Sequence, residues 1–302
     1  GAKLAGVCDA NAARAAEIAA KHGAPAFGDW RELRGRVDAV VIATPTAFHA
    51  EVAEAFLSAG VSCLVEKPMT STVADGERLV AAARASGARL QVGHIERFNP
   101  SWTAALPGMG DVRFIQAERV SPYPFRSTDI DVVLDLMIHD IDLVLALARA
   151  PLERVEAWGM KVLSPTNDLV SARLAFGDGM IANLTASRVS PEPARTFRTI
   201  AADAFVEIDL RGRKVRRVTR SAKLAGGFDV RTVDPSKINP KEFLYGELLE
   251  TTSPAVPPGE PLALEQAAFV EAVERKTPTA VTGEDGVNAV RVAARVLEAV
   301  GR

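Results

Sequence analysis

Hydrophobic and polar positions along this chain follow two regimes, and the change falls near residue 96. Before it, short apolar runs bounded by polar or glycine residues read as buried strands, and Ala-rich stretches with helical spacing read as helices. Strands are predicted at Lys3 to Cys8, Val37 to Ala43, Val61 to Val65 and Arg89 to Val92. Helices are predicted at Ala12 to Lys21 behind an Asn11 cap, at Phe48 to Ala59, and at Val73 to Ala85 ahead of Gly87. Strands alternating with helices imply right-handed crossovers and a doubly wound parallel sheet. Residues 1–96 are therefore expected to form a Rossmann-like α/β domain.

After residue 96 the period shortens to two. A short helix at Pro100 to Leu106 precedes a strand at Val112 to Val120, and a long apolar helix is predicted at Ile130 to Ala148. Arg154 to Val162, Leu169 to Phe176 and Met180 to Ser187 alternate as antiparallel strands do. Phe176-Gly177-Asp178-Gly179-Met180 supplies a hairpin turn between two of them. Further strands are predicted at Thr196 to Ala201, Ala204 to Leu210 and Lys214 to Thr219, a loop over 234–260, and closing helices at Leu262 to Arg275 and Gly286 to Ala299. Residues 97–302 thus read as an α+β domain with a large, mostly antiparallel open sheet.

Composition narrows the classes. The formal net charge of -2 over 302 residues gives no global field for nucleic acid or an anionic membrane. The basic run Arg211, Arg213, Lys214, Arg216, Arg217 and Arg220 lacks interleaved aromatics and reads as the solvated face of a strand. Cys8 and Cys63 are the two cysteines, both in predicted strands, and read as buried thiols rather than a disulfide or zinc framework. With no leader pattern and no apolar run near 18 residues, a cytoplasmic protein is expected.

Candidate chemistry gathers at strand ends. Val61 to Val65 stops abruptly in Glu66-Lys67-Pro68, and ligands of open parallel sheets sit beyond the carboxyl ends of strands. Pro68 biases Lys67 toward an extended backbone and ends the strand. Asp9 closes the first strand, where a Rossmann acid accepts from ribose hydroxyls; its other reading is a helix cap ahead of Ala12. The G-x-G-x-x-G expected about 20 residues earlier has no counterpart in a sequence beginning at Gly1, so the pattern is that of a Rossmann domain without its first strand and glycine loop. Thr44, Pro45 and Thr46 follow another strand, suited to ribose or phosphate, with Thr46 equally suited to capping. His49 reads as capping or packing. Asp135 and His139, four apart on the long helix, share a face; His139 reads either as a satisfied core histidine or, with Asp135, as an acid-oriented imidazole. Asp142 lies seven residues after Asp135, but no second well-spaced His or Cys supports a metal site. Glu96, Arg97 and Asn99 form a polar cluster where the halves join, although Asn99 before Pro100 also suits a helix start.

Thr44-Pro45-Thr46 with His49, Glu66-Lys67-Pro68, Gly93 to Pro100, and Asp135 with His139 occur in one order. That set resembles the glucose–fructose oxidoreductase/inositol dehydrogenase (Gfo/Idh/MocA) family of nicotinamide-dependent dehydrogenases, over essentially the whole chain. The resemblance implies Lys67, Asp135 and His139 as catalytic residues. It implies Asp9, Thr44, Pro45, Thr46, His49, Glu66, Lys67 and Arg97 as cofactor contacts, and Lys67, Glu96, Arg97, Asn99, Asp135 and His139 around the substrate. Asp131-Val132-Val133-Leu134 stands where many members carry a Gly-rich lead-in. Within the family, Glu96 to Pro100 with Asp129 to Asp140 looks most like the UDP-N-acetylglucosamine 3-dehydrogenase subgroup. The implied substrate is a sugar or nucleotide sugar, oxidised at C3 of a UDP-N-acetylhexosamine. A cyclitol, a free sugar, UDP-N-acetylglucuronate or a non-catalytic dinucleotide-binding role are the alternatives. Asp9 favours NAD, while Arg14 leaves room for NADP. The implied assembly is a homodimer or homotetramer through the C-terminal sheet. His139 or Lys67 can serve as the base, and the sequence leaves the two open.

Overall fold

A computed structural model describes residues 1–125 and 130–301. It divides into two compact units, residues 1–94 with 262–291, and residues 95–261 with 292–302.

In the first unit, β1 (Val7–Cys8) pairs in parallel with β2 (Ala26–Phe27), and β3 (Ala39–Ile42), β4 (Ser62–Glu66) and β5 (Leu90–Gly93) form a second parallel sheet in that order. Helices α1 (Ala12–His22), α2 (His49–Ser58) and α3 (Val73–Ser86) intervene. Their ends follow local chemistry. The Asn11 side chain accepts from Arg14 N–H at the start of α1, Thr72 accepts from Asp75 N–H at the start of α3, and Gly87 closes α3 at φ 75°. Cys63, Leu64, Val65 and Val92 are fully buried and carry the core. The expected first strand contracts to Val7–Cys8, because Lys3 and Leu4 are exposed and pair with nothing among the described strands. Cys8 is only half-buried, whereas Cys63 is buried, and both thiols are free.

Residues 262–291 pack in this unit, across the boundary that the sequence reading draws at 96/97. The reason is the outer edge of β5. Val92 N–H donates to Val281 O, Thr279 Oγ1 donates to Leu90 O, and Gln91 bridges Thr282, so the returning chain satisfies backbone groups that an edge strand leaves open. Helix α8 (Pro261–Arg275) precedes this segment, and α9 (Gly283–Val300) follows it.

The second unit opens with α4 (Pro100–Ala105) and β6 (Val112–Val120), followed by α5 (Ile138–Leu147). Seven more strands follow: β7 (Leu152–Met160), β8 (Leu169–Phe176), β9 (Ile181–Ser187), β10 (Ala194–Ala201), β11 (Ala204–Asp209), β12 (Lys214–Arg220) and β13 (Leu249–Thr252). They form one eight-stranded sheet in the order β13-β12-β11-β10-β6-β9-β8-β7. The β6–β9 pair is parallel and the other pairs are antiparallel. Gly179 (φ 83°) turns the β8–β9 hairpin, where Asp178 Oδ1 accepts from Met180 N–H. Helix α5 packs on β6 and β9, and Trp102 of α4 meets Phe197 edge to face at 5.4 Å.

Two features of this unit depart from expectation. Strand β13, the single-turn helix α7 (Pro240–Phe243) and the turns Pro235–Lys237 and Leu244–Leu248 occupy much of the 234–260 stretch that reads as loop, and a single-turn helix α6 (Ala222–Ala225) precedes it. The long apolar helix begins not at Ile130 but with a π turn, Val133–Met137, which leads into α5. Asp131 sets that start: its Oδ1 accepts from Val133 N–H and its Oδ2 from the Asn167 backbone and side chain. No helix among the described residues is long and apolar enough to cross a membrane.

Candidate active site

In the first unit the strand ends supply the chemistry. Strand β4 delivers Glu66 and Lys67, both half-buried, and the Lys67–Pro68 peptide is cis. The Glu66 carboxylate accepts the Lys67 backbone N–H. Burial raises the Glu66 carboxyl above the ordinary range, against the opposing pull of that hydrogen bond and of the Lys67 and His49 charges. His49 is buried and acts as a brace. Its Nδ1 lies 3.0 Å from Pro68 O and its Nε2 2.8 Å from Thr44 O, so one imidazole ties the loop after β3 to the loop after β4.

Thr44 and Pro45 are exposed beyond β3, and Thr46 opens a 3₁₀ turn, Thr46–Phe48, with no side-chain capping bond. The capping role open to Thr46 is therefore not the one it takes. Asp9 does not cap α1 directly either. Its Oδ1 accepts from Asn11 N–H at 2.8 Å, and Asn11 is the cap. The Asp9 side chain stays 39 % exposed with Arg14 Nε 3.7 Å from its Oδ2. A partly exposed carboxylate at the carboxyl end of a parallel strand fits an adenosine ribose, whose two hydroxyls donate to such a group.

In the second unit a buried ionic network surrounds the residues expected near substrate. Arg119 Nη1 donates to Glu96 Oε1 at 2.7 Å, and its Nε and Nη2 donate to both oxygens of Asp140 at 3.0 and 2.8 Å. All three side chains are buried. Burial pushes both carboxyls up; at Glu96 the Arg119 charge overcomes it and holds the group low, whereas at Asp140 burial prevails. Asn99 Nδ2 donates to Glu96 Oε2 and Leu210 O, while its Oδ1 caps α4 by accepting from Ser101 N–H. Glu96 and Asn99, expected at the substrate, thus have their polar ends engaged within the protein, and Asn99 performs the helix-start role. Arg97 is held by a two-point ion pair to Asp142. Asp142 is thus engaged in an ion pair with Arg97.

Asp135 sits in the π turn and His139 at the second position of α5, and both are half-buried. Asp129, part of the same sequence motif, lies outside the described residues. Arg119, Asp140 and Glu265 are buried charged residues to which the sequence gives no role, as are the paired Asp168 and Arg188. Arg119 shares the strand parity of the buried Ile115 and Ala117, and Glu265 shares the helical face of the buried Phe269 and Ala272. The basic run of β12 is largely paired. Arg216 meets Glu207, Arg213 meets Glu260, and Arg220 Nη2 donates to Ala202 O. Among the described residues no three His, Cys, Asp or Glu side chains cluster as a metal site requires.

Parallel strands with helices, an acid at the end of β1 and Glu66-Lys67-Pro68 at the end of β4 define a dinucleotide-binding oxidoreductase fold, and comparison with known proteins agrees. Residues 1–94 match the oxidoreductase family with the NAD-binding Rossmann fold, and residues 108–207 match the GFO/IDH/MocA C-terminal domain. The solved UDP-N-acetylglucosamine 3-dehydrogenase of Acidithiobacillus ferrooxidans superposes with a TM-score of 0.86 at 34 % identity, covering 98 % of this chain and 89 % of that one. The chain belongs to the Gfo/Idh/MocA oxidoreductase family. By sequence, the same enzyme is 43 % identical over 208 residues, 68 % of this chain and 66 % of its own length. An inositol 2-dehydrogenase of Rhizobium meliloti is 33 % identical over 47 % of this chain and 46 % of its own length. The aligned stretches thus span between about half and two thirds of these curated relatives. Levoglucosan dehydrogenase in complex with NADH and levoglucosan, at 18 % identity and a TM-score of 0.80 over 98 % of this chain and 88 % of that one, shares the fold.

Proposed function

We propose that this protein oxidises a secondary hydroxyl of a sugar, C3 of a UDP-N-acetylhexosamine, by hydride transfer to NAD. The observation that carries this reading is the likeness, over nearly the whole chain, to a UDP-N-acetylglucosamine 3-dehydrogenase. NAD, when bound, supplies the hydride acceptor. Asp9 would hold its adenosine ribose and disfavour a 2′-phosphate by like charge, and Thr44, Pro45 and Thr46 would line its path. Glu66 acts beside Lys67, and His49 positions both loops.

Oxidising an alcohol removes a hydride from carbon and a proton from oxygen. In this reading His139 takes the proton, and Asp135 orients the imidazole and stabilises the cation that forms. Lys67 donates a hydrogen bond to the substrate oxygen and stabilises developing alkoxide charge. Arg97, held by its ion pair to Asp142, is a further substrate contact in this reading. The free thiols of Cys8 and Cys63 suit an enzyme of the cytoplasm. Trp158 and Met160, exposed on β7, support assembly of like chains through the open sheet. Size-exclusion chromatography with light scattering tests that assembly, and a monomer would refute it.

The test is NADH formation by the full-length chain with UDP-N-acetylglucosamine, with a hydrazine trap to draw off the ketone. A substrate-dependent rise at 340 nm supports the assignment. A rise with an inositol or a free sugar instead, the reading favoured by the likeness to inositol 2-dehydrogenases, moves the substrate and keeps the class. Cofactor binding without turnover on any sugar would overturn the enzymatic reading.

A further inference from the structure

One ion pair of the second unit is fully buried and has no part in the proposed chemistry. Arg188 follows β9, Asp168 precedes β8, and Arg188 Nε donates to Asp168 Oδ1 at 2.8 Å. Asp168 gathers the loop 161–168 around itself. Its Oδ2 accepts from the backbone N–H groups of Val162, Leu163 and Ser164 at 2.8, 2.6 and 2.9 Å, and its Oδ1 accepts from the Ser164 hydroxyl. Burial pushes this carboxyl up, but the Ser164, Arg188 and Leu163 donors overcome it and hold the group low. The rest of the guanidinium reaches another part of the chain. Nη1 donates to Ile130 O at 2.7 Å, and Nη2 donates to Thr166 Oγ1 at 2.8 Å, which donates in turn to Ile130 O at 3.2 Å. Beside it, Asn167 O accepts from Val132 N–H at 3.2 Å, and Asn167 donates from backbone and side chain to Asp131 Oδ2 at 3.1 and 2.6 Å. Asp131 passes the constraint on. Its Oδ1 accepts from Val133 N–H, and its carbonyl accepts from Leu134 and Asp135 N–H, all at 3.0 Å.

A continuous path of hydrogen bonds and loop backbone thus joins Arg188 to Asp135, in the π turn that leads to His139. Desolvation offsets much of the attraction within a buried ion pair, so stability is a weak reason for keeping one. What this pair supplies is geometry, because the planar guanidinium fork fixes the directions of its acceptors. The lead-in Asp131-Val132-Val133-Leu134 carries no glycine, and its carboxylate is the group that the loop grips. We infer that Arg188 is a positioning residue for Asp135 and His139: with Asp168 it locks the 161–168 loop, and that loop holds residues 130–133 so that the π turn begins at one fixed place. Asn167 is the link between loop and lead-in. The catalytic part of this inference rests on the proposed function, whereas the tether of loop to lead-in stands without it.

Two variants separate the parts. Asn167→Ala removes a donor to Asp131 at a half-buried position and leaves the Arg188–Asp168 pair intact. Arg188→Lys keeps the charge beside Asp168 but cannot span Ile130, Ser164 and Thr166 together. Amide hydrogen exchange of the full-length protein, followed by mass spectrometry on peptides covering 130–139, reads the tether. Exchange there should be about fivefold faster in both variants, the effect of losing one hydrogen bond. Unchanged exchange refutes the tether whether or not the protein turns over any sugar. NADH formation, measured well below the thermal midpoint, reads the positioning role. In Arg188→Lys kcat should fall by about 10²-fold, the loss that a misplacement of about 1 Å can cause, with the KM for NAD unchanged. Asn167→Ala should lose kcat in the same sense, and it carries both readings if Arg188→Lys does not fold. Faster exchange with wild-type kcat would leave Arg188 a structural residue and overturn its positioning role, as would a loss shared equally between kcat and the KM for NAD. Absence of turnover in the wild type would overturn that role together with the proposed function, while exchange still decides the tether.

Discussion

Arg97 and Asp142 meet at two points, Nε to Oδ2 at 2.7 Å and Nη2 to Oδ1 at 2.9 Å, with the aspartate 1 % and the arginine 18 % exposed. Removing one partner strands the other. Arg97→Ala should lower stability by about 3 kcal/mol, because a buried carboxylate loses its counter-charge. The double variant Arg97→Met/Asp142→Leu should recover most of that loss. Thermal midpoints of the three proteins at pH 7 test this, and a double variant no better than the single one would contradict it.

Arg119 serves two buried acids, so its loss should be felt more strongly. Arg119→Met leaves Glu96 and Asp140 with Arg195, 3.7 Å from Glu96 and half-exposed, in place of a buried cation bonded to both, at a cost of about 4 kcal/mol. Both acids can then escape charge by taking up protons. The deficit relative to wild type should therefore shrink as the pH falls from 8 to 5, a trend that unfolding scans across that range would reveal.

Lys67→Met keeps a long unbranched side chain and removes the donor. Turnover should fall by about 10²–10³, the usual loss for one such hydrogen bond in a transition state. The thermal midpoint should stay near that of the wild type. Near-normal rates would remove Lys67 from the chemistry.

Glu265 gives the stability curve a direction. A carboxyl raised from an ordinary 4.5 to about 8 binds a proton in the folded state that the unfolded chain has already lost. Stability from this group is present at low pH and declines as the pH rises from about 5 through 8, then levels off. Glu66, raised in the same sense, adds to the slope. Glu265→Gln should flatten the decline, measured as the thermal midpoint against pH.

Strands such as Val112–Val120 and Leu169–Phe176 are legible in the sequence because one face of an open sheet is buried and the alternation survives. The two-residue β2 and the four-residue β13 are not, since pairs that short are fixed by their neighbours and carry no period of their own. The polar cluster at Glu96 to Asn99 is visible as a cluster, but its duty is not. Whether Glu96 faces solvent or Arg119 depends on a partner 23 residues away in another element. Arg119 and Glu265 hide for a related reason. Charge argues for the surface, and only their places on buried faces, beside Ala117 and Phe269, argue otherwise. The ends of β1, β3 and β4 stand out early, because polar residues after short apolar runs can only be where parallel strands stop.

One imidazole links the Thr44 and Pro68 carbonyls, and this has a kinetic meaning. Loops that share a clamp are coupled, because a shift of the ring is felt at both carbonyls. A molecule that steadies the Thr44 loop steadies the His49 ring, and with it the Pro68 carbonyl beside Lys67, without touching either. Whatever first settles on the β3 edge thereby sets the lifetime of the lysine's working pose, and order of arrival becomes a property written into His49.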